Sequence, residues 1–184
     1  MTTKSKRYAA LSLSAAIALA IMLGVLVTIG CSNEAAPPTA AQPAPDFQIT
    51  LFGNEHHEKG SSLSLSDLKG KPVVLNFWYP SCPPCRLEMP DLEAASIKHA
   101  ANGVEFVGIQ SLVLDTVEDG QQFIDEFGIT YAIGPDAEGD ILVDYEVSGF
   151  PTTIFLDKDH QVVRKWSGIL DAEKLDELIA EVLN

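Results

Sequence analysis

The chain is short of thiols and of positive charge. Its 184 residues hold three cysteines, and two of them, Cys82 and Cys85, lie two residues apart. The third is Cys31. There is no second Cys-x-x-Cys, which counts against a structural zinc site built from two such pairs. Four histidines, His56, His57, His99 and His160, are scattered, and the His56-His57 pair lies in a polar turn. Twelve Lys and Arg face 26 Asp and Glu, for a formal charge of −14. Three of the basic residues, Lys4, Lys6 and Arg7, stand at the very start. From Cys31 onward nine basic residues face 26 acidic ones, a balance of −17. So acidic a surface excludes nucleic acid as an expected partner and is a poor match for anionic lipid. Internal repeats are missing.

What is present at the start is a targeting pattern. Lys4, Lys6 and Arg7 precede Tyr8–Gly30, 23 residues without a charge. That fits the basic and apolar regions of a signal peptide. It also fits an uncleaved span, which needs roughly 20 apolar residues. In either case the basic flank stays in the cytoplasm and the remainder faces outward. Thr28-Ile29-Gly30-Cys31 resembles a bacterial lipoprotein cleavage box, which makes Cys31 a candidate for lipidation. The alternative is a membrane helix with an incidental cysteine. Residues 31–45 are rich in Ala and Pro, lack the apolar content to fold, and read as a semi-extended spacer of about 3.1 Å per residue. The expected domains are therefore 1–30 signal or anchor, 31–45 linker, and 46–184 one globular domain.

Hydrophobic patterning sets out that domain. Residues 47–52 and 61–68 read as short strands or turns. Residues 72–78 are almost continuously apolar and β-prone, as in a strand covered on both faces. A helix is predicted over 83–101, with Leu87, Leu92, Ala95 and Ile97 as apolar positions and Asn102-Gly103 as its stop. Next come a buried strand at 104–109, a helix at 116–127 ended by Gly128, a short strand at 131–133 and a helical turn at 141–145. Strands at 152–156 and 162–166 flank the polar turn 157–160. Asp171 caps a last helix that buries Leu175, Leu178, Ile179 and Val182. Strands alternating with helices imply an α/β fold with a mixed sheet between helical layers.

The chemistry gathers in Phe77-Trp78-Tyr79-Pro80-Ser81-Cys82-Pro83-Pro84-Cys85-Arg86. Two thiols at this spacing open and close a disulfide with little movement elsewhere. A cysteine at a helix start meets the positive end of the helix dipole and unpaired N–H groups, both of which favour the reactive thiolate. Cys82 is thus the expected exposed nucleophile, and Cys85 the thiol that resolves a mixed disulfide one turn later. A static disulfide or half of a metal site are the rival readings. Pro83 and Pro84 carry no N–H, so only the Cys85 amide is left to face the Cys82 sulfur. That predicts a less stabilised thiolate and a more reducing pair than the dipole alone implies, with the Arg86 charge acting in the opposite direction.

Asn76-Phe77-Trp78, Cys82-Pro83-Pro84-Cys85, Arg86-Leu87-Glu88-Met89-Pro90 and Gly149-Phe150-Pro151-Thr152-Thr153 together resemble the thioredoxin superfamily, in its membrane-tethered TlpA/ResA-like branch. The resemblance covers 46–184. It implies a thioredoxin fold, a central mixed β-sheet flanked by helices, with an N-terminal strand extension. It implies that Glu88 is a buried acid exchanging protons with Cys82 and Cys85. Pro151 would be the cis proline that faces the pair and offers the preceding backbone to a partner, with Phe150, Thr152 and Trp78 beside the substrate. Pro90 would kink the first long helix. The implied activity is extracytoplasmic reduction of client protein disulfides, in apocytochrome c maturation or copper-site assembly. A membrane electron donor would re-reduce the pair, and no organic cofactor or metal is implied. Relatives usually carry Trp directly before the first cysteine, where this chain has Ser81. Two other functions fit the cysteines less well. A peroxiredoxin-like peroxidase usually wants Thr three residues before the reactive cysteine, and that residue is Tyr79. A copper chaperone would add a histidine to Cys82 and Cys85.

Overall fold

The computed structural model describes residues 42–183. The basic start, the apolar segment 8–30, Cys31 and the spacer up to residue 41 lie outside the described residues. Among the described residues no helix is long and apolar enough to cross a membrane.

Eight strands and four helices follow in order: β1 (Gln42–Pro43), β2 (Gln48–Thr50), β3 (Ser62–Ser64), β4 (Val73–Trp78), α1 (Pro83–His99), β5 (Glu105–Ser111), α2 (Val117–Phe127), β6 (Ala132–Asp136), α3 (Asp140–Asp144), β7 (Thr152–Leu156), β8 (Gln161–Ser167) and α4 (Ala172–Leu183). Short 3-10 turns cover Leu65–Leu68 and Ala100–Asn102. The main sheet runs β1-β8-β7-β4-β5-β6, with β4, β5 and β6 parallel and β7, β8 and β1 antiparallel. This is the mixed sheet the alternating pattern predicts. β2 and β3 form a separate antiparallel pair, the N-terminal extension.

β4 lies at the centre and every residue of it is buried. Alternate side chains of a strand point to opposite faces. Val74 and Trp78 join the core that packs with α1, α2 and α4. Val73, Leu75 and Phe77 join the core under the β2–β3 extension and α3, with Phe47, Ile49, Leu65 and Ile141. Asn76 has the parity of Val74 and Trp78, so the one polar residue of β4 faces α1. The extension is held against β6 by the Phe52 N–H, which donates to the Ile133 carbonyl at 2.9 Å. Gly134 allows this approach, since a Cβ there would stand 2.4 Å from the Thr50 carbonyl oxygen.

The expected helix signals hold. Thr116 and Asp119 form a capping box on α2, and Gly128 ends it at φ 64°. Asp171 accepts from the Lys174 N–H at 2.8 Å at the start of α4. Four expectations need correction. Gln42 and Pro43, assigned to the spacer, pair with Val162 and Gln161, so the sheet begins before residue 46. The 47–52 strand shrinks to Gln48–Thr50, and the 131–133 strand runs on to Asp136. Leu87 and Ile97 are exposed. The buried stripe of α1 is Cys85, Glu88, Met89, Leu92, Ala95, Ser96 and His99, a 3.6-residue period that leaves positions 87 and 97 outside. Pro90 lies inside α1 on its exposed side.

Candidate active site

β4 delivers the chain to the start of α1 through Tyr79, Pro80 and Ser81. The Cys82 N–H donates to the Tyr79 carbonyl at 3.1 Å, and the Arg86 N–H donates to the Cys82 carbonyl at 3.1 Å. Cys82 is the N-cap of α1, with Pro83 and Pro84 in the first two helical positions. The Cys85 N–H donates to the Cys82 Sγ at 3.2 Å. A cap side chain usually accepts from the second or third helical N–H. Here the second position is Pro84, so the Cys85 amide is the one donor of that set left, as the double proline predicts.

Cys82 and Cys85 form a disulfide with Cα atoms 5.3 Å apart. The structure corrects the expectation of an exposed nucleophile: in this oxidised state Cys82 is 1% exposed and Cys85 fully buried. Both cysteines belong to the core that holds Trp78 and Met89.

Glu88 lies three residues beyond Cys85 on the same helix face and is fully buried. Its Oε1 accepts from Asn76 Nδ2 at 2.9 Å, and its Oε2 from the Leu170 N–H at 3.1 Å. The Asn76 amide also donates to Thr153 Oγ1 at 3.0 Å, while its own Oδ1 has no partner. Neither donor to Glu88 carries a charge. Burial therefore dominates and pushes the Glu88 carboxyl up to about 7, against the smaller opposing pulls of the Leu170 and Asn76 bonds. Nearby Tyr131 is buried, and burial first, then Glu93 and Glu88, raises its phenol well above the ordinary value. Its hydroxyl meets Met89 Sδ.

The second loop of the site precedes β7. The Phe150–Pro151 peptide is cis. Thr152 pairs with Phe77, which sets Pro151 one step beyond it, at the level of Trp78 and the redox loop. The two loops touch through an edge-on contact of Tyr79 with Phe150, centroids 5.1 Å apart. The Pro151 carbonyl accepts from the Gly168 N–H at 2.9 Å. Phe150 is half-buried, while Thr152 is buried and its hydroxyl donates to the Gly149 carbonyl at 2.8 Å. Its side chain is therefore committed to the loop. Trp78 is fully buried and packs against Phe123 in a tilted arrangement, ring centroids 4.5 Å apart. A substrate contact through its side chain is corrected to a packing position, as expected of a central strand covered on both faces.

Two polar residues flank the pair, Ser81 before it and Arg86 after it. Arg86 bonds Glu126 at 2.5 Å and lies over the rings of Phe123 and Phe127. Its charge is balanced by Glu126. Ser81 donates both its N–H, at 3.2 Å, and its hydroxyl, at 2.8 Å, to Asp115 Oδ2. This ties the redox loop to the loop after β5.

The histidines are remote. His99 ends α1, fourteen residues past Cys85, about 21 Å at 1.5 Å per residue. His56 and His57 line a cavity of about 320 Å³ with Ser96 and Ala100 at that far end. His160 meets the Leu68 carbonyl oxygen at 3.2 Å. Among the described residues no group of three His, Cys, Asp or Glu side chains is placed to hold a metal ion.

The AhpC/TSA family model matches residues 40–165. The chain belongs to this family. Its relatives include the thiol-disulfide oxidoreductase ResA of Oceanobacillus iheyensis, 33% identical over 139 residues, 76% of this chain and 70% of the relative. ResA of Geobacillus kaustophilus is 32% identical over 164 residues, 85% of this chain and 89% of the relative. Among solved structures, a thiol:disulfide interchange protein of the thioredoxin family from Chlorobium tepidum superposes with a TM-score of 0.69 at 25% identity, covering 78% of this chain and 97% of that one. The chain is thus a ResA/TlpA-like member with a thioredoxin fold.

The sequence singled out Cys82, Cys85, Glu88 and Pro151; the structure adds Asn76 and Leu170 as the partners of Glu88 and Asp115 as the partner of Ser81. A polar Asn inside an apolar strand was a usable signal. The Leu170 N–H, 82 positions from Glu88, and the Asp115 tie gave none.

Proposed function

We propose that this protein is an extracytoplasmic, membrane-tethered thiol–disulfide oxidoreductase that reduces disulfides of client proteins through Cys82 and Cys85. The observation that carries the reading is the buried, uncompensated Glu88, one turn along α1 from a disulfide at the helix N-terminus. An acid poised near neutrality beside two thiols is suited to taking and returning a proton.

In the proposed reaction the Cys82 thiolate attacks one sulfur of the client disulfide. That bond breaks, a mixed disulfide forms, and the other client sulfur leaves as a thiolate. The Cys85 thiol gives its proton to the Glu88 carboxylate and attacks the Cys82 sulfur. The mixed disulfide breaks, the second client thiolate leaves, and the Cys82–Cys85 bond closes. Two electrons pass to the client, and its two thiolates take protons from Glu88 and solvent. Phe150 and the backbone of the cis-proline loop receive the client chain as an added strand.

Apocytochrome c or copper-site proteins are the proposed clients, with a membrane electron donor restoring the dithiol. Cys31 is the proposed lipid attachment point; an unchanged mass after globomycin treatment or in Cys31→Ala would count against it. The remote histidines disfavour a copper site completed by histidine. Tyr79, packed on Phe150, disfavours the peroxidase reading.

The test is a titration of the pair in the full chain against glutathione and dithiothreitol buffers. A potential near or below about −250 mV, in the thioredoxin range, supports a reductant. A value near about −120 mV reverses the direction to disulfide formation.

A further inference from the structure

The loop between β5 and α2 is tied to the redox loop through Asp115. It presents Val113 at 79% and Leu114 at 68% exposure, two adjacent aliphatic residues held in water. Two adjacent aliphatic side chains make a small patch, and what adjoins them decides its use. The next residue, Asp115, receives both bonds from Ser81, the residue before Cys82. The aliphatic pair is therefore anchored to the redox loop at one residue's remove from the reactive sulfur.

The anchor residues themselves line a cleft of about 230 Å³, with Pro80, Arg86, Asp119 and Glu126 among its other walls. Three carboxylates against one guanidinium leave it two charges negative. The Arg86 charge is turned onto Glu126. Asp119 is held below the usual carboxylate range by the Thr116 N–H and hydroxyl, so it stays ionised at neutral pH.

From these placements we infer that Val113, Leu114 and the acidic cleft form a client-docking surface additional to the cis-proline loop, and that its occupant is an extended polypeptide segment carrying an aliphatic residue and a Lys or Arg next to its disulfide. The inference rests on the reductase reading and adds substrate class to it. A client gains most of its contact area from what surrounds the sulfur rather than from the sulfur itself. The aliphatic pair supplies a dehydrated contact, and the cleft supplies charge complementarity to a basic side chain. The chain's own acidity raises the encounter rate with such a segment and repels acidic ones.

The test uses the reduced full chain in detergent and three oxidants. One is the small disulfide 5,5′-dithiobis(2-nitrobenzoate). The other two are disulfide-cyclised peptides of one sequence, with either Lys or Glu flanking the cysteines and a Leu nearby. The Lys peptide is expected to react about tenfold faster than the Glu peptide at low salt, with the gap closing at high salt. In Leu114→Ser the ratio of the Lys-peptide rate to the small-reagent rate falls about fivefold, the loss of one partly buried aliphatic contact. Glu126→Gln narrows the Lys-over-Glu preference. Equal rates for the two peptides, or an unchanged ratio in Leu114→Ser, overturn the docking surface while leaving the reductase reading intact. Failure of the wild-type chain to reduce even the small disulfide overturns both.

Discussion

α1 buries one ionisable side chain near each end, Glu88 and His99, and the two are treated in opposite ways. His99 meets Asp176 Oδ1 at 2.8 Å, and Lys98 joins the same carboxylate at 2.6 Å. Those two bonds, with smaller charge effects, hold Asp176 below the usual carboxylate range. Glu88 is buried more completely and has only neutral amide donors. A buried charge without a countercharge is expensive, and a fold selected for stability alone would pair or remove it. The far end of α1 is built for stability; the near end keeps an acid whose proton is loosely decided. Strongly perturbed groups of this kind gather at working sites.

The largest test of the contrast is at the thiols. Cys85→Ser is expected to reduce turnover to background and to trap the client on Cys82 as a mixed disulfide, read by mass spectrometry. His99→Gln is expected to keep turnover and to lose only stability.

Next is the pH dependence of stability. The folded Glu88 carboxyl, at about 7, lies above its ordinary 4.5. The native state therefore binds the proton more tightly than the unfolded chain. The stabilisation from this group is full below pH 4.5 and is lost as pH rises to about 7, a change of about 3 kcal/mol. Denaturant unfolding of the oxidised protein at pH 4.5 and 7.5 measures it. Glu88→Gln should lack this component, so the wild-type-minus-variant difference isolates it from other groups.

A smaller effect is expected at the helix start. Pro84→Ala returns the second helical N–H to the Cys82 sulfur. One hydrogen bond to a charged group of about 1.4 kcal/mol lowers the Cys82 pKa by about one unit and makes the pair more oxidising by about 30 mV. Thiolate absorbance at 240 nm and a glutathione titration read the two. No shift in either would remove the proline argument.

The smallest belongs to the compensated end. Asp176→Asn breaks a pair that is partly exposed and is expected to lower stability by about 0.5–1 kcal/mol, with the pH profile of exchange unmoved. A change in that profile would mean the two ends of α1 are coupled.

How far this contrast was legible depends on which contacts are local. The Cys85–Glu88 spacing put both on one helix face, and the apolar continuity of β4 announced a central strand. The same continuity already implied that Trp78 would be buried. Leu87 and Ile97 were misplaced because apolar type was weighed above helical phase; Glu88, Ser96 and His99 hold stripe positions that leucines would be expected to fill. The partners that separate the two ends, Asn76 and Leu170 for Glu88 and Asp176 for His99, come from distant parts of the chain. No local pattern encodes them. Gln42 and Pro43 entered the sheet because two edge residues need a partner strand and little apolar content, so composition read them as spacer.

The most direct measurement is a 13C chemical-shift titration of the Glu88 carboxyl in the oxidised full chain. A midpoint near 7 is predicted. A midpoint near 4.5, the ordinary value for the group, would contradict the account, because a carboxylate of ordinary acidity is too weak a base near neutrality to take the Cys85 proton and return it.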